Sequence, residues 1–447
     1  MGGLLKVVNY IVALGANVFL PVIMFFIGII FGLKPGKALR AGLTLGVAFT
    51  AINLFISQLL VGQIAPAAQQ MITSTGLNLT AMDVGWPAAS TISWSWKYAA
   101  TIFPFQIVVN LLLLWVGFTN TLTVDLWNVW QKIFAGAIIY YFTKNLWIAY
   151  AGALLLIILE LKVGDLIAKR TQDAMGVPGV TIPHACAMWL LPLTPLIYLL
   201  DKIPALNKVK IDAEYLHKKL GFLGDPIILG LIMGVIIGLL ARYPFDQVLK
   251  LGVTTATVMF VLPRIASIFM EALMPISEAA TEFMKKKFPG REIYIGLDWP
   301  VLGGYPAVIT ASVALIPILI LLAIVLPGNT TLPFGDLANF GCLMVPVAIL
   351  TGGDLIKTLI VGTATLCVSL WGASAVAGSF TTLAKEVGFA MPENVAQITW
   401  LKTSPPIWAI FEAIKGNWTT VIVLVALAVI SFYLLKKYYS KSANDAN

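Results

Sequence analysis

The chain has 447 residues, of which 59% are hydrophobic and 11% charged, with a net charge of +8 and a mean hydropathy of +0.91. Soluble domains carry roughly 25% charged residues, so a water-exposed fold is excluded and lipid is the solvent. The small basic surplus is of the kind that collects in cytoplasmic loops, and it points to no nucleic-acid partner. Cys186, Cys342 and Cys367 lie in apolar segments, with no disulfide framework and no Cys-x-x-Cys metal pattern.

Lys6 precedes an apolar run far longer than a signal-peptide core and without a small-residue cleavage site. That run is expected to be the first membrane helix. A crossing needs about 20 residues. On that length the predicted spans are 10–33, 38–62, 98–118, 145–161, 182–200, 224–241, 248–272, 306–326, 354–373, 394–413 and 418–436, eleven in all. Segments 83–97, 128–143, 296–305 and 339–352 are apolar but short and broken by Gly, Pro or Asp, which predicts re-entrant or half-helices. Such backbone survives at membrane depth only where protein or a polar cavity surrounds it.

The second half repeats the first. "GIIFG" (28–32) matches "GVIIG" (234–238), a small-xxx-small packing face, and "ALRAGLT" (38–44) matches "VLKLGVT" (248–254). Then follow Pro66 with Pro275, "DVGWP" (83–87) with "DWP" (298–300), Pro104 with Pro317, and "NTLTVDLWN" (120–128) with "NTTLPFGDLAN" (329–339). Asn145-Leu146 matches Asp354-Leu355, and "GVP" (176–178) matches "GFAMP" (388–392). Five spans per copy is an odd number, so the second copy is expected to lie inverted. Loop 63–82 has no Lys or Arg, whereas 282–292 has Lys285, Lys286, Lys287 and Arg291. With the N-terminus outside and the C-terminus cytoplasmic, the cytoplasmic segments collect 17 basic residues against 8 outside, as the positive-inside rule asks. Loop 162–173, with Lys162, Lys169 and Arg170, runs the other way. The expected fold is an all-α polytopic membrane protein of two inverted five-helix repeats with re-entrant hairpins and one C-terminal helix. Inverted repeats with broken helices are the sequence mark of a transporter.

An ionisable group at membrane depth is costly and needs a partner or a task. Asp83 and Asp298 stand at the mouths of broken segments, where a carboxylate either caps a half-helix or, beside Trp86 or Trp299, grips a hydroxylated solute through hydrogen bonds under an aromatic face. In "TGGDLIKT" (351–358) Asp354 starts a helix with Thr358 one turn on, and Asn145 is its counterpart. Lys357 is a candidate counter-ion for Asp354. His184, after Pro183, is the one histidine in a predicted membrane segment. It is either a satisfied core residue or a ligand to substrate, and Cys186 nearby does not complete a metal set. His217, with Lys218 and Lys219, falls in the cytoplasmic linker. Arg264, Glu271 and Glu278 recur every seven residues, one helix stripe suited to scaffold or dimer contacts. Asp125/Asp336 and Asn128/Asn339 are polar turns that either cap or line. No P-loop or nucleophile elbow occurs, so no catalytic chemistry, cofactor or metal is expected.

"NYIVALGANVFLPVIMFFIGIIFGLKPGKALRAGLTLGVAF", "DVGWPAAS"/"LDWPVLGG" and "GVPGVTIPHA" resemble the permease subunit, component IIC, of galactitol-type phosphotransferase systems, over essentially the whole chain. The resemblance implies kinship with ascorbate permeases. It also implies a V-shaped scaffold and a moving core, a homodimer, and an elevator-like displacement in the bacterial inner membrane. On that plan 1–62 and 224–281 are scaffold, 63–200 and 282–416 core, 201–223 a basic linker and 417–447 a C-terminal helix and tail. The resemblance further implies a polyol substrate and separate cytoplasmic IIA and IIB subunits docking on 201–223 and 282–292. It implies a ligand site at Asp83, Trp86, Asn145, His184, Asp298, Trp299, Asp354 and Thr358. Ala185, after His184, departs from the pattern that suits an acidic ring and fits a neutral polyol. The competing readings are an ion-coupled transporter using His184 and Asp354 as a proton relay, and a membrane enzyme on lipid-linked sugars, which would want acids clustered round a metal.

Overall fold

The computed structural model describes residues 10, 16–75, 79–123, 127–208, 210–212, 215, 225–287, 291–336, 340–391 and 395–442. Asp125, Asn339 and the linker group His217, Lys218 and Lys219 lie outside the described residues.

The first helices are α1 (Ala16–Ile30) and α2 (Pro35–Phe55), which continues through a π-helical stretch (Ile56–Ile64) into α3 (Ala65–Thr75). In the second half α9 (Pro226–Leu240) is followed by α10 (Phe245–Lys287). Loop 63–82 was expected to begin after residue 62. Helix instead runs on to Thr75, because the polar residues of "APAAQQMITST" do not break a helix. Likewise α10 extends past the span expected at 248–272 to Lys287. α1 packs on α2, α9 on α10, and α2 on α10, so these elements form one body. Their contact is close: a Cβ on Gly234 would stand 2.5 Å from the carbonyl oxygen of Leu251, so only glycine allows the backbones to meet.

The remaining elements alternate short strands with helices. The first half gives β1 (Ala81–Asp83), α4 (Gly85–Trp94), α5 (Ala99–Trp115), β2 (Thr121–Thr123), α6 (Trp130–Thr143), α7 (Leu146–Met175), β3 (Val180–Thr181), a 3₁₀ turn (Ala185–Trp189) and α8 (Leu190–Leu200). The second gives β4 (Tyr294–Gly296), a 3₁₀ turn (Trp299–Leu302), α11 (Pro306–Val325), β5 (Thr331–Leu332), α12 (Gly341–Leu350), α13 (Leu355–Glu386), β6 (Gln397–Thr399), α14 (Pro405–Lys415) and α15 (Trp418–Leu434), with a π-helical end to Tyr439. The four expected half-helical segments thus appear as α4, α6, a 3₁₀ turn and α12. Helix starts follow local chemistry: Asn145 Oδ1 accepts from the N–H groups of Trp147 and Ile148, and Asp225 caps Ile227 ahead of Pro226.

Among the described residues, α7, α11, α13 and Trp418–Tyr439 are long and apolar enough to cross a bilayer, and α4 with α5, bent by 95°, makes a fifth such span. The window at 182–200 resolves into a 3₁₀ turn and an 11-residue helix, and the one at 394–413 into a strand and an 11-residue helix. Both are too short to cross alone.

The strands form two parallel three-stranded sheets of reciprocal composition. β1 is central between β5 and β6 of the second half, and β4 is central between β2 and β3 of the first. Ala81 lies opposite Thr331, and Tyr294 opposite Thr121. Asp83 lies opposite Thr399, and Gly296 opposite Thr181. The anchoring is reciprocal too. Thr181 Oγ1 donates to the carbonyl of Gly164 on α7, and Thr399 Oγ1 to that of Ala373 on α13. Asp165 on α7 accepts from Asn120 N and Thr121 Oγ1, while Ser374 on α13 bonds Thr330 N and Thr331 Oγ1. Strands this short need every backbone group paired at membrane depth, and exchange between the halves supplies the partners.

The sheet register refines the sequence alignment. Ala81 and Tyr294 are 213 residues apart, as are Trp86 and Trp299. On that register the Trp-Pro dipeptides coincide, but Asp83 falls on Gly296 and Asp298 on Gly85. The acids occupy different places in the two halves, and each does a different job.

Candidate functional site

β3 and β4 run in parallel and end together, Thr181 opposite Gly296. Three residues beyond Thr181 comes His184, and two beyond Gly296 comes Asp298. The register therefore brings them to one place: His184 Nε2 lies 3.6 Å from Asp298 Oδ1, with the residues 4% and 7% exposed. Pro183 is wedged between Gly164 of α7 and Gly296. A Cβ on Gly164 would meet Pro183 Cβ at 3.0 Å, and one on Gly296 would meet Pro183 Cγ at 2.5 Å.

Each side chain is held from behind. His184 Nδ1 accepts the backbone N–H of Cys186, capping the 3₁₀ turn. Neutral imidazole then carries its proton on Nε2, and Nε2 has no hydrogen-bond partner in the protein. Asp298 Oδ1 accepts from Trp299 N at 2.7 Å. A donor and an acceptor thus converge at a spacing too long for a hydrogen bond of their own. A hydroxyl set beside them accepts from Nε2 and donates to the carboxylate. Trp299, half-buried, adjoins on the next residue.

The matching place in the other half is closed. From the Thr181/Thr399 register, Lys402 stands where His184 stands. Its Nζ lies 3.0 Å from Asp336 Oδ1, both buried. Asp336 Oδ2 also accepts from Trp400 Nε1 at 2.9 Å. Asp83 Oδ1 accepts from Gly85 N and Leu401 N, and its Oδ2 accepts from Asp336 N. Asp83 therefore spends both oxygens on backbone groups of three segments. Gly335 and Gly85 make this possible, since a Cβ on Gly335 would stand 2.3 Å from Gly85 N, and Gly85 has φ +73°.

The other candidates stand apart from His184. Asn145 is an exposed cap at the start of α7, and Gly164, against Pro183, is 19 residues along that helix, about 28 Å at 1.5 Å per residue. Asp354 starts α13 beside the linker, and Lys357, one turn on, reaches Asp201 at the end of α8 remote from His184, about 16 Å along that 11-residue helix. Asp354 Oδ1 accepts from Lys357 N and its Oδ2 from Ile211 N, and Thr358 Oγ1 donates to Asp354 O. Lys357 does not pair with Asp354 as the sequence suggested. Its Nζ donates to Asp201 and Asn207 at 2.7 Å each, because α13 points that side chain at the linker. Trp86 packs in the cluster around Phe134 and Trp400, and Trp299 in the other large cluster, so the structure does not bring the tryptophans together. Asp336 proves to be an ion-pair partner, and Asn128 is buried.

Sequence reasoning missed several groups. Lys132 and Lys402, which nothing in the sequence singles out, are 3% and 7% exposed. Lys132 pairs with Glu160 of α7 and Lys402 with Asp336. Ser404, the cap position of α14, is 1% exposed, and its Oγ has no protein partner. The "SPP" at 404–406 is a helix-start signal that marked it. Among the described residues no group of three metal-ligating side chains gathers.

A bilayer-spanning chain with helices broken by buried strands, and with a buried donor–acceptor pair at the break, has the makings of a solute permease. Residues 10–394 match the family described as the PTS system sugar-specific permease component, and the chain belongs to that family. It is 37% identical over 405 residues to the PTS system galactitol-specific EIIC component of Escherichia coli (strain K12), covering 89% of this chain and 90% of that one. The match to the same component of Escherichia coli O157:H7 is equal. A putative permease IIC component of strain K12 is 35% identical over 431 residues, 96% of this chain and 98% of that one. The chain is thus a multi-pass membrane permease component of a phosphotransferase system, not an enzyme by itself.

Proposed function

We propose that this chain carries galactitol or a similar polyol inward across the bacterial inner membrane for phosphorylation by a separate IIB subunit, itself charged by IIA. The observation that carries the reading is the unpaired Nε2–H of buried His184 facing the Asp298 carboxylate, a donor–acceptor pair suited to a hydroxyl. Trp299, half-buried on the next residue, supplies an aromatic face for C–H surface. The names of the relatives supply the substrate class.

The halves are taken as inverted repeats, supported by the reciprocal strands and the constant offset at Trp86/Trp299. The body made by α1–α3 with α9–α10 is the scaffold, with its boundaries moved to residues 75 and 287, where its helices end. The rest is a core that moves against it in elevator fashion. Dimerisation through the scaffold suits the exposed faces of these helices, on which Val18, Val22, Leu43 and Val47 are uncovered. An N-terminus outside and a C-terminus inside suit the excess of basic residues in the linker and in 282–292.

The test is uptake of labelled galactitol by cells expressing the protein with and without the phosphorelay. Accumulation of galactitol phosphate only with the relay is expected. Proton-driven accumulation of free galactitol without the relay would replace this reading with ion-coupled transport.

A further inference from the structure

α5 crosses at membrane depth with one side chain that its architecture does not require. Gln106, in the middle of α5, is 3% exposed, and neither its Oε1 nor its Nε2 has a hydrogen-bond partner in the protein. An unpaired amide is expensive in hydrocarbon. One turn along, Asn110 shows what a structural amide does here: its Nδ2 donates to Thr121 O and its Oδ1 accepts from Thr123 N, clamping β2. Gln106 clamps nothing. On the 213-residue register it falls on Leu319, buried in α11, so the same framework is built elsewhere with a hydrocarbon side chain.

Gln106 lines a cleft of about 190 Å³ between α1 and α5. Its walls are Ile23 and Ile27 of α1, Ile107, Asn110 and Leu111 of α5, and Leu122 and Thr123 of β2. Asn110 is spent on β2, so the Gln106 amide is the buried polar group left unpaired. Among the described residues the lining contains no ionisable side chain. At about 30 Å³ per water-sized unit, the space holds a chain of about six heavy atoms. A polyol fits poorly, since most of its hydroxyls would face isoleucine and leucine. A charged headgroup meets no counter-ion among the described residues of the lining.

We propose that this cleft binds a neutral amphiphile, an aliphatic chain lying along Ile23, Ile27 and Leu111 with one hydroxyl or carbonyl bonded to the Gln106 amide. The amide donates and accepts, so it serves either head. The ligand sits between α1, on the scaffold side, and α5, on the core side. Its occupancy therefore bears on the seam across which the two bodies meet.

The probe is butanol carrying a diazirine, photolysed with the full-length protein in phosphatidylethanolamine/phosphatidylglycerol vesicles, with labelled peptides mapped by mass spectrometry. Saturable labelling of the peptides holding Ile23–Ile27 and Gln106–Leu111, displaced by plain butanol, is expected. Gln106→Leu, the residue of the other half, should weaken labelling about five- to ten-fold, the loss of one hydrogen bond, with thermal melting unchanged. Ile27→Trp, which fills the cleft from the opposite wall, should also remove it. Labelling that does not saturate in the wild type, or that is the same in either folded variant, overturns the site.

Discussion

His184 Nε2 stands 3.6 Å from Asp298 Oδ1 because two parallel strands from opposite halves of the chain end side by side. Each atom is oriented by a backbone N–H behind it, Cys186 for the imidazole and Trp299 for the carboxylate. The pair is thus preorganised yet unconsummated. Asp298→Asn keeps the shape but removes the acceptor charge, and His184→Ala removes the donor. Each should weaken galactitol binding about ten- to a hundred-fold, since a hydrogen bond to a charged group is worth roughly 1.5–3 kcal/mol. Calorimetric titration of the purified protein measures this, with elution volume as the fold control. Unchanged affinity in both variants removes the site from this place.

Lys132 and Glu160 form a buried pair joining α6 to α7, each 3% exposed. Removing one partner strands a charge in a low-dielectric interior, which costs about 3–5 kcal/mol, whereas replacing both by apolar residues is often neutral. Lys132→Met alone should therefore lower the melting temperature sharply, and Lys132→Met with Glu160→Leu should restore most of it. Equal melting of the single and double variants would show that the pair does not act as a unit.

These two pairs show where the sequence was legible and where it was not. Local signals carried well: Trp-Pro at 86–87 and 299–300 marked the breaks, Asn145 and Asp354 marked helix starts, and short apolar segments marked the half-helices. Long-range pairings within each half were invisible: nothing near Lys132 announces Glu160, and nothing near Lys402 announces Asp336 across 66 residues. The alignment matched Asp83 with Asp298 by residue type, whereas at the 213-residue offset of β1 and β4 each acid corresponds to a glycine in the other half. Asp354 and Thr358 looked like ligands because a cap and a ligand use the same residue types.

Gly335 and Gly85 meet backbone to backbone where the loop after β5 crosses the loop after β1. Gly335 N donates to Asp83 O at 2.8 Å, and the Gly335 Cβ position lies within 2.4 Å of Val84 C. The obstruction is backbone, which cannot rotate away. Gly335→Ala should cost about 1–3 kcal/mol as an overpacked contact, read as a lower melting temperature and poorer yield. Gly328→Ala, with no atom within 4 Å but φ +78°, should cost less, about 1 kcal/mol. A reversed order would mean that the loops do not touch as described.

The linker is fastened to α13 by a clasp centred on Lys357. Lys357 Nζ donates to Asp201 Oδ1 and Asn207 Oδ1, Tyr439 OH donates to Asp201 Oδ2, and Ile211 exchanges bonds with Asp354 Oδ2 and Leu355 N. Lys208 and Lys210, both exposed, lie inside the fastened stretch. Local opening exposes such a stretch to protease in proportion to its free energy. Lys357→Met removes two of the bonds, both to a charged donor, so tryptic cleavage at Lys208 and Lys210 should quicken about ten-fold or more, at roughly 1.5–3 kcal/mol per bond. Because Lys357 reaches Asp201 at the end of α8 remote from His184, about 16 Å along that 11-residue helix, galactitol affinity should stay within the error of the titration. Cleavage as slow as in the wild type would show that Ile211 and Asp354 hold the linker without the lysine. A collapse of affinity would instead place Lys357 in the transport path.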